Sequence, residues 1–238
     1  MQTYEKIIEL TDVNFAYCHG TTVLEGICLT VNRGDRAGII GANGSGKTTL
    51  FHLIMGLLKP ISGSIHIFGQ DVREEKDFYT VRRRIGLLFQ NPGDQLFCPT
   101  VLEDVAFGPL NLGRSAAEAK SIAQKTLTAL GIADFGHRIS HKLSHGEKKL
   151  VALAGILAMD PEVLILDEPT AGLDQATKSR LIEIIDHLGL TLVIASHDMD
   201  FLSKMAGVFY NLKGGRIGGS KTTITPARSG CMTCPGPL

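Results

Sequence analysis

The sequence predicts an α/β fold in which helices alternate with the strands of a mainly parallel sheet. Two observations support this prediction. Residues 163–166 and 192–195 are continuously apolar, which is typical of strands buried on both faces of a parallel sheet. Each run precedes a segment with helical periodicity, residues 177–188 and 198–205 respectively. Strands that alternate with helices in this way indicate an α/β sheet.

The N-terminal half contains further predicted strands and one predicted helix. Residues 7–32 hold short β-rich runs separated by turn residues, and residues 36–40 form a short buried strand. A helix is expected over 48–58, where a following proline ends it. Alternating or continuous apolar residues predict strands over 64–68 and 84–89.

The middle of the chain is predicted to pass from irregular to helical structure. Proline and glycine recur through residues 91–111, which favours an irregular segment. Helices are expected over 115–130 and 144–159, because each begins with the Ser-x-x-Glu spacing of a capping box. A hairpin is expected over 208–217.

These elements are assigned to one domain over residues 1–220, with a helical subdomain at about 91–145. Residues 221–238 are rich in Ser, Thr, Gly and Pro and are predicted to be a disordered tail. This tail carries Cys231 and Cys234 in a Cys-x-x-Cys pattern. Two thiols lack the other ligands of a closed metal site, so incidental cysteines are favoured over a metal site.

Composition excludes several classes of protein. The 238 residues include 24 Lys and Arg against 24 Asp and Glu, a formal net charge of zero. A nucleic-acid partner is therefore not expected, because binding a phosphate backbone needs a basic face. The five cysteines are too few and too scattered for a disulfide framework. The longest apolar run, residues 151–159, is too short to cross a bilayer, and no signal peptide is visible.

The most informative motif is a glycine-rich loop between a predicted strand and a predicted helix. This phosphate loop consists of Gly41, Ala42, Asn43, Gly44, Ser45, Gly46, Lys47 and Thr48. Glycines let backbone N–H groups close around phosphate oxygens, and the helix N-terminus adds its dipole. In such a loop Lys47 neutralises the β and γ phosphates and Thr48 offers a hydroxyl to Mg²⁺. A plain glycine-rich turn is the weaker alternative, because both flanking elements fit the motif.

An acidic pair follows the buried strand at 163–166. Asp167 and Glu168 lie at the carboxyl end of this strand, where α/β sheets bind ligands. Asp167 is expected to hold Mg²⁺ through water, and Glu168 to polarise the water that attacks the γ-phosphate. A solvated turn ahead of Pro169 is the alternative. The phosphate loop upstream favours the catalytic interpretation.

Further motifs surround the phosphate loop and the acidic pair. Between the two lie residues 143–147, Leu-Ser-His-Gly-Glu, which we call the signature segment. After the pair come Ala171-Gly172-Leu173-Asp174 and Ser196-His197-Asp198, Tyr17 precedes the phosphate loop, and Gln90 ends a predicted strand. In this order the motifs resemble the nucleotide-binding subunit of ATP-binding-cassette transporters, over about residues 7–219. The resemblance implies a P-loop ATPase fold with a mixed core sheet, an antiparallel β subdomain and a helical subdomain.

The resemblance also implies roles for individual residues. In an ATPase of this family, the catalytic residues would be Glu168, His197 and Gln90. His197 would contact the γ-phosphate, and the Gln90 side chain would touch Mg²⁺ and the attacking water. The Mg²⁺ ligands would be Thr48, Gln90 and Asp167. The ATP contacts would be Tyr17 on the adenine, the whole phosphate loop with Thr49, and, from a second subunit, Ser144, His145, Gly146, Glu147 and Asp174. Taken singly, Tyr17 is equally typical of a strand face, and Asp174 can be a solvated helix start. A lone histidine at a strand end, such as His197, more often has no function, but the order of the motifs favours one here.

The signature segment allows two interpretations, which can both hold. Ser144 can simply cap the helix that follows. The resemblance implies further that this helix N-terminus points at the γ-phosphate of ATP bound by a second copy. His145 departs from the family pattern, which has glycine there. We expect the site still to close, with hydrolysis altered by a side chain that either crowds the phosphate or adds a protonatable donor.

Residues 89–109 resemble the energy-coupling-factor importers, particularly the cobalt and nickel type. This implies integral membrane transporter subunits as partners, a second ATPase subunit (identical or a paralogue), and a peripheral place on the cytoplasmic face of the cell membrane. A vitamin importer is the alternative cargo. A soluble ATP switch is disfavoured because long heptad arms, a duplicated cassette and a basic surface are not seen in the sequence. A binding module without turnover is disfavoured because it needs neither Glu168 nor His197.

Overall fold

The computed structural model describes residues 5–18 and 20–223, and these residues form two sheets and a set of helices. The strands are β1 (Lys6–Ala16), β2 (Thr22–Asn32), β3 (Arg36–Ile40), β4 (Ser62–Ile67), β5 (Gln70–Asp71), β6 (Ile85–Leu88), β7 (Val163–Asp167), β8 (Thr191–Ala195), β9 (Val208–Lys213) and β10 (Arg216–Thr223). The α-helices are α1 (Lys47–Ile54), α2 (Glu75–Arg84), α3 (Val101–Asn111), α4 (Ala116–Ala129), α5 (His145–Leu157), α6 (Gln175–His187) and α7 (Met199–Met205).

The larger sheet has the strand order β10-β9-β3-β8-β7-β6. All neighbours are parallel except the β9–β10 pair, which is antiparallel. Every residue of β7 and β8 is buried, as their continuous apolar sequences predict. The α/β prediction with a mixed core sheet is therefore confirmed. The carboxyl ends of β3, β7 and β8 meet at one edge of this sheet.

The smaller sheet is antiparallel, with the order β2-β1-β4-β5. β1 and β2 each run for 11 residues, whereas the turn residues in this region predict several shorter runs. The strands continue because shifts in their register absorb those residues. Gly26, for example, takes a positive φ of 61° inside β2, and its N–H donates to Asn14 Oδ1 at 2.8 Å.

Two helices differ from the sequence-based expectation. Residues 101–111 form α3 in a segment predicted to be irregular, and that prediction was wrong. A capping box between Thr100 and Glu103 starts α3, and its apolar residues pack into a buried cluster with α4 and α5, which outweighs Pro109 near its end. Helix α2 was not predicted. Most residues of this helix are charged or polar, and only Phe78 and Val81 within it are buried.

Helix α1 ends at Ile54, before the predicted end at residue 58. Gly56 takes a left-handed φ of 65°, and a Cβ there would lie 2.3 Å from the ring of Phe78. The chain therefore turns at this glycine and makes room for an aromatic ring of α2.

Helices α3, α4 and α5 pack on one another over a shared apolar cluster, which includes Val105, Leu127 and Leu153. The division of the chain at 91–145 stays a prediction. β10 reaches Thr223, so the hairpin at 208–217 is longer than predicted. Residues 221–223 of the predicted tail belong to β10, and the rest of the tail, with its two cysteines, lies outside the described residues.

A charged network joins the two sheets around Glu162, which precedes β7. Glu162 Oε2 accepts hydrogen bonds from Arg33 at 2.9 Å and Arg84 at 3.1 Å, and Arg33 also binds Glu5. The Arg84 hydrogen bond, followed by that of Arg33, lowers the pKa of Glu162 to about 2. Its charged form is therefore stabilised in the folded state.

We expect Glu162→Gln to lower the free energy of unfolding at pH 7 by about 1 kcal/mol, because solvent screens this half-exposed network. A depressed folded pKa contributes stability above the ordinary value of 4.5 that is lost as the pH falls towards about 2. The difference between wild type and variant should thus shrink below pH 4.5, as urea unfolding at several pH values would measure. Glu183→Gln, at an exposed carboxylate of α6, is the matched control; an equal loss there would contradict this role for the network.

Candidate functional site

The phosphate loop connects β3 to α1, and two of its glycines are required by close packing. Gly46 precedes α1 with a left-handed φ of 104°, and a Cβ there would lie 2.7 Å from Leu24 Cδ2. A Cβ on Gly41 would lie 2.5 Å from the Leu212 carbonyl oxygen. Among the residues that the structure describes, no side chain caps α1, and the first turn of this helix carries no acidic residue. Its N-terminal N–H groups therefore suit an anion.

The buried side chain of Lys47 packs against the earlier residues of the phosphate loop. Its Nζ donates to the carbonyl oxygens of Gly41 at 2.8 Å and Ala42 at 3.2 Å. The same Nζ lies 3.5 Å from Glu168 Oε1. The ammonium is thus placed between the loop and the acidic pair, where a phosphate oxygen would be a stronger, charge-assisted acceptor.

Thr48 and Asp167 meet although 119 residues separate them in sequence: Thr48 Oγ1 donates to Asp167 Oδ2 at 2.6 Å. Among the described residues, nothing hydrogen-bonds the buried Asp167 Oδ1. Burial raises the pKa of Asp167, and the Thr48 hydrogen bond opposes this shift. A buried carboxylate oxygen without a partner, beside a hydroxyl, suits a hard divalent cation such as Mg²⁺.

Glu168 follows Asp167 with a strained backbone, since its φ is +45° in a non-glycine residue. Its N–H donates to the Ala195 carbonyl oxygen at 2.8 Å, which fixes it beside the end of β8. Its Oε2 lies 2.8 Å from His197 Nδ1, and Ser196 Oγ donates to it at 3.3 Å. Its buried Oε1 accepts no hydrogen bond in the described part of the chain. This carboxylate is placed to orient the imidazole and to accept a proton from a water molecule.

A cleft of about 500 Å³ joins these groups, and its lining includes the phosphate-loop residues Asn43, Gly44, Gly46, Lys47 and Thr48, with Tyr17, Thr49, Gln90, Asp167 and Glu168. Tyr17 stands at this cleft with 47% of its surface exposed. Its hydroxyl lies 3.1 Å from Thr49 Oγ1, and its ring packs edge-on to Phe15. An aromatic ring held in this way suits a planar base.

The signature segment and Asp174 form a second group at the start of α5 and α6. Ser144 Oγ accepts from the Glu147 N–H at 3.3 Å, and Glu147 Oε2 accepts from the Ser144 N–H at 2.8 Å. This backbone hydrogen bond lowers the pKa of Glu147. Asp174 caps α6 by accepting from the Thr177 N–H at 3.0 Å. The structure therefore shows that Ser144 caps α5, which is the first of its two interpretations.

His145 lies near the residues of the phosphate loop and the acidic pair. It lines a cavity of about 690 Å³ together with Thr48, Gln90, Asp167 and Gly172, among others. A Cβ on Gly172 would lie 3.4 Å from two atoms of the His145 ring, so this glycine leaves ordinary contact space for the imidazole. Gly146 is closer to α6, since a Cβ there would lie 3.0 Å from Thr177 Cγ2.

Sequence reasoning missed Lys149, which lies on α5 with no exposed surface. Its Nζ donates to the carbonyl oxygens of Gln90 at 2.6 Å and Phe89 at 3.2 Å. Burial lowers the pKa of Lys149 to about 8, against the attraction of Asp167 and Glu168. The available signal was its helical register: Lys149 lies in line with the apolar Leu153 and Ile156, on a face that should be buried.

Comparison with known proteins places these features in a family. Residues 24–171 match the family model described as ABC transporter. The chain is 46% identical over 215 residues to the energy-coupling factor transporter ATP-binding protein EcfA of Methanothermobacter thermautotrophicus, covering 89% of this chain and 69% of EcfA.

Solved structures agree in fold. CbiO1 from Clostridium perfringens, described as part of the ABC transporter complex CbiONQ, superposes with a TM-score of 0.80 and 38% identity over 90% of this chain and 87% of CbiO1. The ATP-binding cassette MJ0796, a dimer bound to ADP and phosphate, has a TM-score of 0.83 and 26% identity over 91% of this chain and 98% of its own. Within the described residues, no helix combines the length and apolarity that a bilayer span needs.

Proposed function

The chain belongs to the ABC transporter family, as an ATPase subunit of the energy-coupling-factor type, and from this premise we propose that it drives a membrane importer for cobalt or nickel ions. The observation that carries the ATPase chemistry is the meeting of three strand ends: the phosphate loop after β3, Asp167 and Glu168 at the end of β7, and His197 after β8.

Each group has a separate task in this proposal. The phosphate loop and Lys47 hold the triphosphate, and Tyr17 stacks on the base. Thr48, Asp167 and Gln90 hold Mg²⁺, which when bound neutralises charge on the phosphates. Glu168 accepts a proton from the attacking water, and its strained backbone keeps the carboxylate at the strand end. His197, which Glu168 orients, donates to the γ-phosphate.

The proposal includes a dimer closed by ATP. The start of α5 carries Ser144 and His145 and would face the γ-phosphate held by a second subunit, identical or a paralogue. The positive end of the helix dipole at such a terminus attracts an anion. Support comes from MJ0796, whose dimeric structure is a post-hydrolysis state bound to ADP and phosphate. Hydrolysis would then open the dimer and move the attached membrane subunits.

The cargo and the location are inferred from similarity to other importers. Residues 89–109 resemble the cobalt and nickel importers, and CbiO1 is similar over most of the chain. We place the subunit on the cytoplasmic face of the cell membrane, attached to integral transporter subunits. The substrate would be chosen by those subunits.

Co-expression with the membrane-protein genes adjacent to its own gene tests this function. We expect the chain to co-purify with integral membrane proteins, and vesicles containing the complex to take up radioactive cobalt or nickel in an ATP-dependent way. Uptake of a vitamin instead would contradict the metal assignment alone. A chain that binds no membrane protein would contradict the transport function, although its ATPase activity would remain.

His145 provides a separate prediction. Replacing it with glycine should raise the KM for ATP about two- to fivefold, because the imidazole lines the cavity beside Thr48 and Asp167 and one hydrogen bond contributes about 0.5–1 kcal/mol. ATPase rates over a range of ATP concentrations would measure this, with His187→Asn on α6 as the matched control. Superimposable wild-type and His145→Gly profiles would show that the imidazole does not contact the nucleotide.

A further inference from the structure

Lys149 connects two parts of the molecule that the proposed mechanism treats separately. It lies on α5, two residues after the signature segment, and its ammonium reaches the backbone just after the end of β6. There it donates to the carbonyl oxygens of Phe89 and Gln90, the latter at 2.6 Å. The side chain is completely buried. A charged group at this depth is costly unless its hydrogen bonds are satisfied, so these two bonds constrain its position.

The same loop is held from its other side by Gln95. The Gln95 side chain accepts from the Phe89 N–H at 2.9 Å and donates to the Leu87 carbonyl oxygen at 2.9 Å. These bonds tie the loop only to itself and to β6. Lys149 differs, because it ties the loop to the helix that carries Ser144 and His145. The backbone of Gln90 therefore cannot shift relative to α5 without breaking a buried, charge-assisted hydrogen bond.

We propose that Lys149 is a positioning residue for ATP hydrolysis, which fixes Gln90 to the signature helix α5 so that both move as one unit against the phosphate loop. This inference rests on the proposed function, in which Gln90 contacts Mg²⁺ and the attacking water. The inference is based on the two hydrogen bonds that Lys149 of α5 donates to the backbone that follows β6. Lys149 itself lines neither the 500 Å³ cleft nor the 690 Å³ cavity.

The test compares three variants in ATPase assays on the full chain. Lys149→Met keeps the length and volume of the side chain but removes both hydrogen bonds. Lys149→Arg keeps a cation that can donate to the same carbonyl oxygens. Lys148→Met is the matched control at the adjacent, half-buried position. The measurements are kcat, the Mg²⁺ concentration at half-maximal rate, the affinity for a fluorescent ATP analogue without Mg²⁺, and thermal unfolding.

We expect Lys149→Met to lower kcat about ten- to hundredfold and to raise the Mg²⁺ requirement, because a small misplacement of a reacting group has effects of this size. Nucleotide affinity without Mg²⁺ should stay within about twofold of wild type, since the phosphate loop is intact. Lys149→Arg should recover most of kcat, and Lys148→Met should resemble wild type.

Several results would overturn the inference. One is wild-type kcat and Mg²⁺ dependence in Lys149→Met below its unfolding temperature, which would leave Lys149 a purely structural role. Another is a parallel loss of nucleotide affinity and kcat. If Lys149→Met does not fold, Lys149→Leu, which also lacks a donor, replaces it, and normal kcat there would be equally decisive. A wild-type chain whose ATPase activity is insensitive to Gln90→Ala would instead contradict the role of Gln90 in the proposed function, and this inference with it.

Discussion

Replacing Glu168 with glutamine is expected to reduce ATP hydrolysis by about a thousandfold while ATP still binds, since a positioned general base contributes about 10²–10⁴ in rate. Glutamine has nearly the same shape and can keep contact with His197 and Ser196. It cannot take a proton from water. The variant should therefore remain in the ATP-bound dimer, which size-exclusion chromatography with MgATP would show.

The control for this experiment is Glu183→Gln, which removes an exposed carboxylate from α6 and should hydrolyse ATP normally. A Glu168→Gln protein that stays monomeric at saturating MgATP would contradict the proposed dimer. Hydrolysis within threefold of wild type would contradict the assignment of Glu168 as the base, whatever the oligomeric state.

Replacing Ser144 with aspartate should separate the two interpretations of the signature segment. Aspartate caps a helix about as well as serine, so α5 and the free energy of unfolding should change little. A carboxylate at the helix start would, however, lie against the phosphates of the facing subunit, and such like-charge contacts cost several kcal/mol. We expect ATPase activity to fall about a hundredfold, with dimerisation on MgATP lost.

Ser144→Thr is the matched control, because threonine caps the helix and adds no charge; it should keep most of the activity. Binding of ATP to the monomer should be the same in both variants, as the phosphate loop is untouched. Full activity in a stably folded Ser144→Asp protein would mean that Ser144 only caps α5, and the proposed composite site would be wrong.

Much of the large sheet could be predicted because its strands have a simple local signal. β7 and β8 are continuous apolar runs, and burial on both faces permits little else. Helix α3 was missed because its proline and glycine dominated the local pattern, whereas packing against α4 and α5 decided its structure. Helix α2 was missed because its exposed, charged sequence gives almost no apolar periodicity.

The candidate site shows the same division between local and long-range information. The phosphate loop and the acidic pair were predicted as separate motifs, each at the carboxyl end of a strand. The contact between Thr48 and Asp167 depends on the order of the strands in the sheet, in which only β8 separates β3 from β7. No local sequence pattern specifies that order. Lys149 was missed for a related reason: its partners are backbone carbonyl oxygens about 60 residues earlier in the sequence, and any residue type could supply them.

The position of β3 between β8 and β9 has a consequence for how the protein is made. Both neighbours of β3 come from residues after 190. On the ribosome, the phosphate loop is therefore synthesised long before the two strands that flank β3 in the folded sheet. Pairing over such separations is slow to form. Nucleotide capture should therefore begin only near the end of translation, and bound ATP would then favour the last strands to dock.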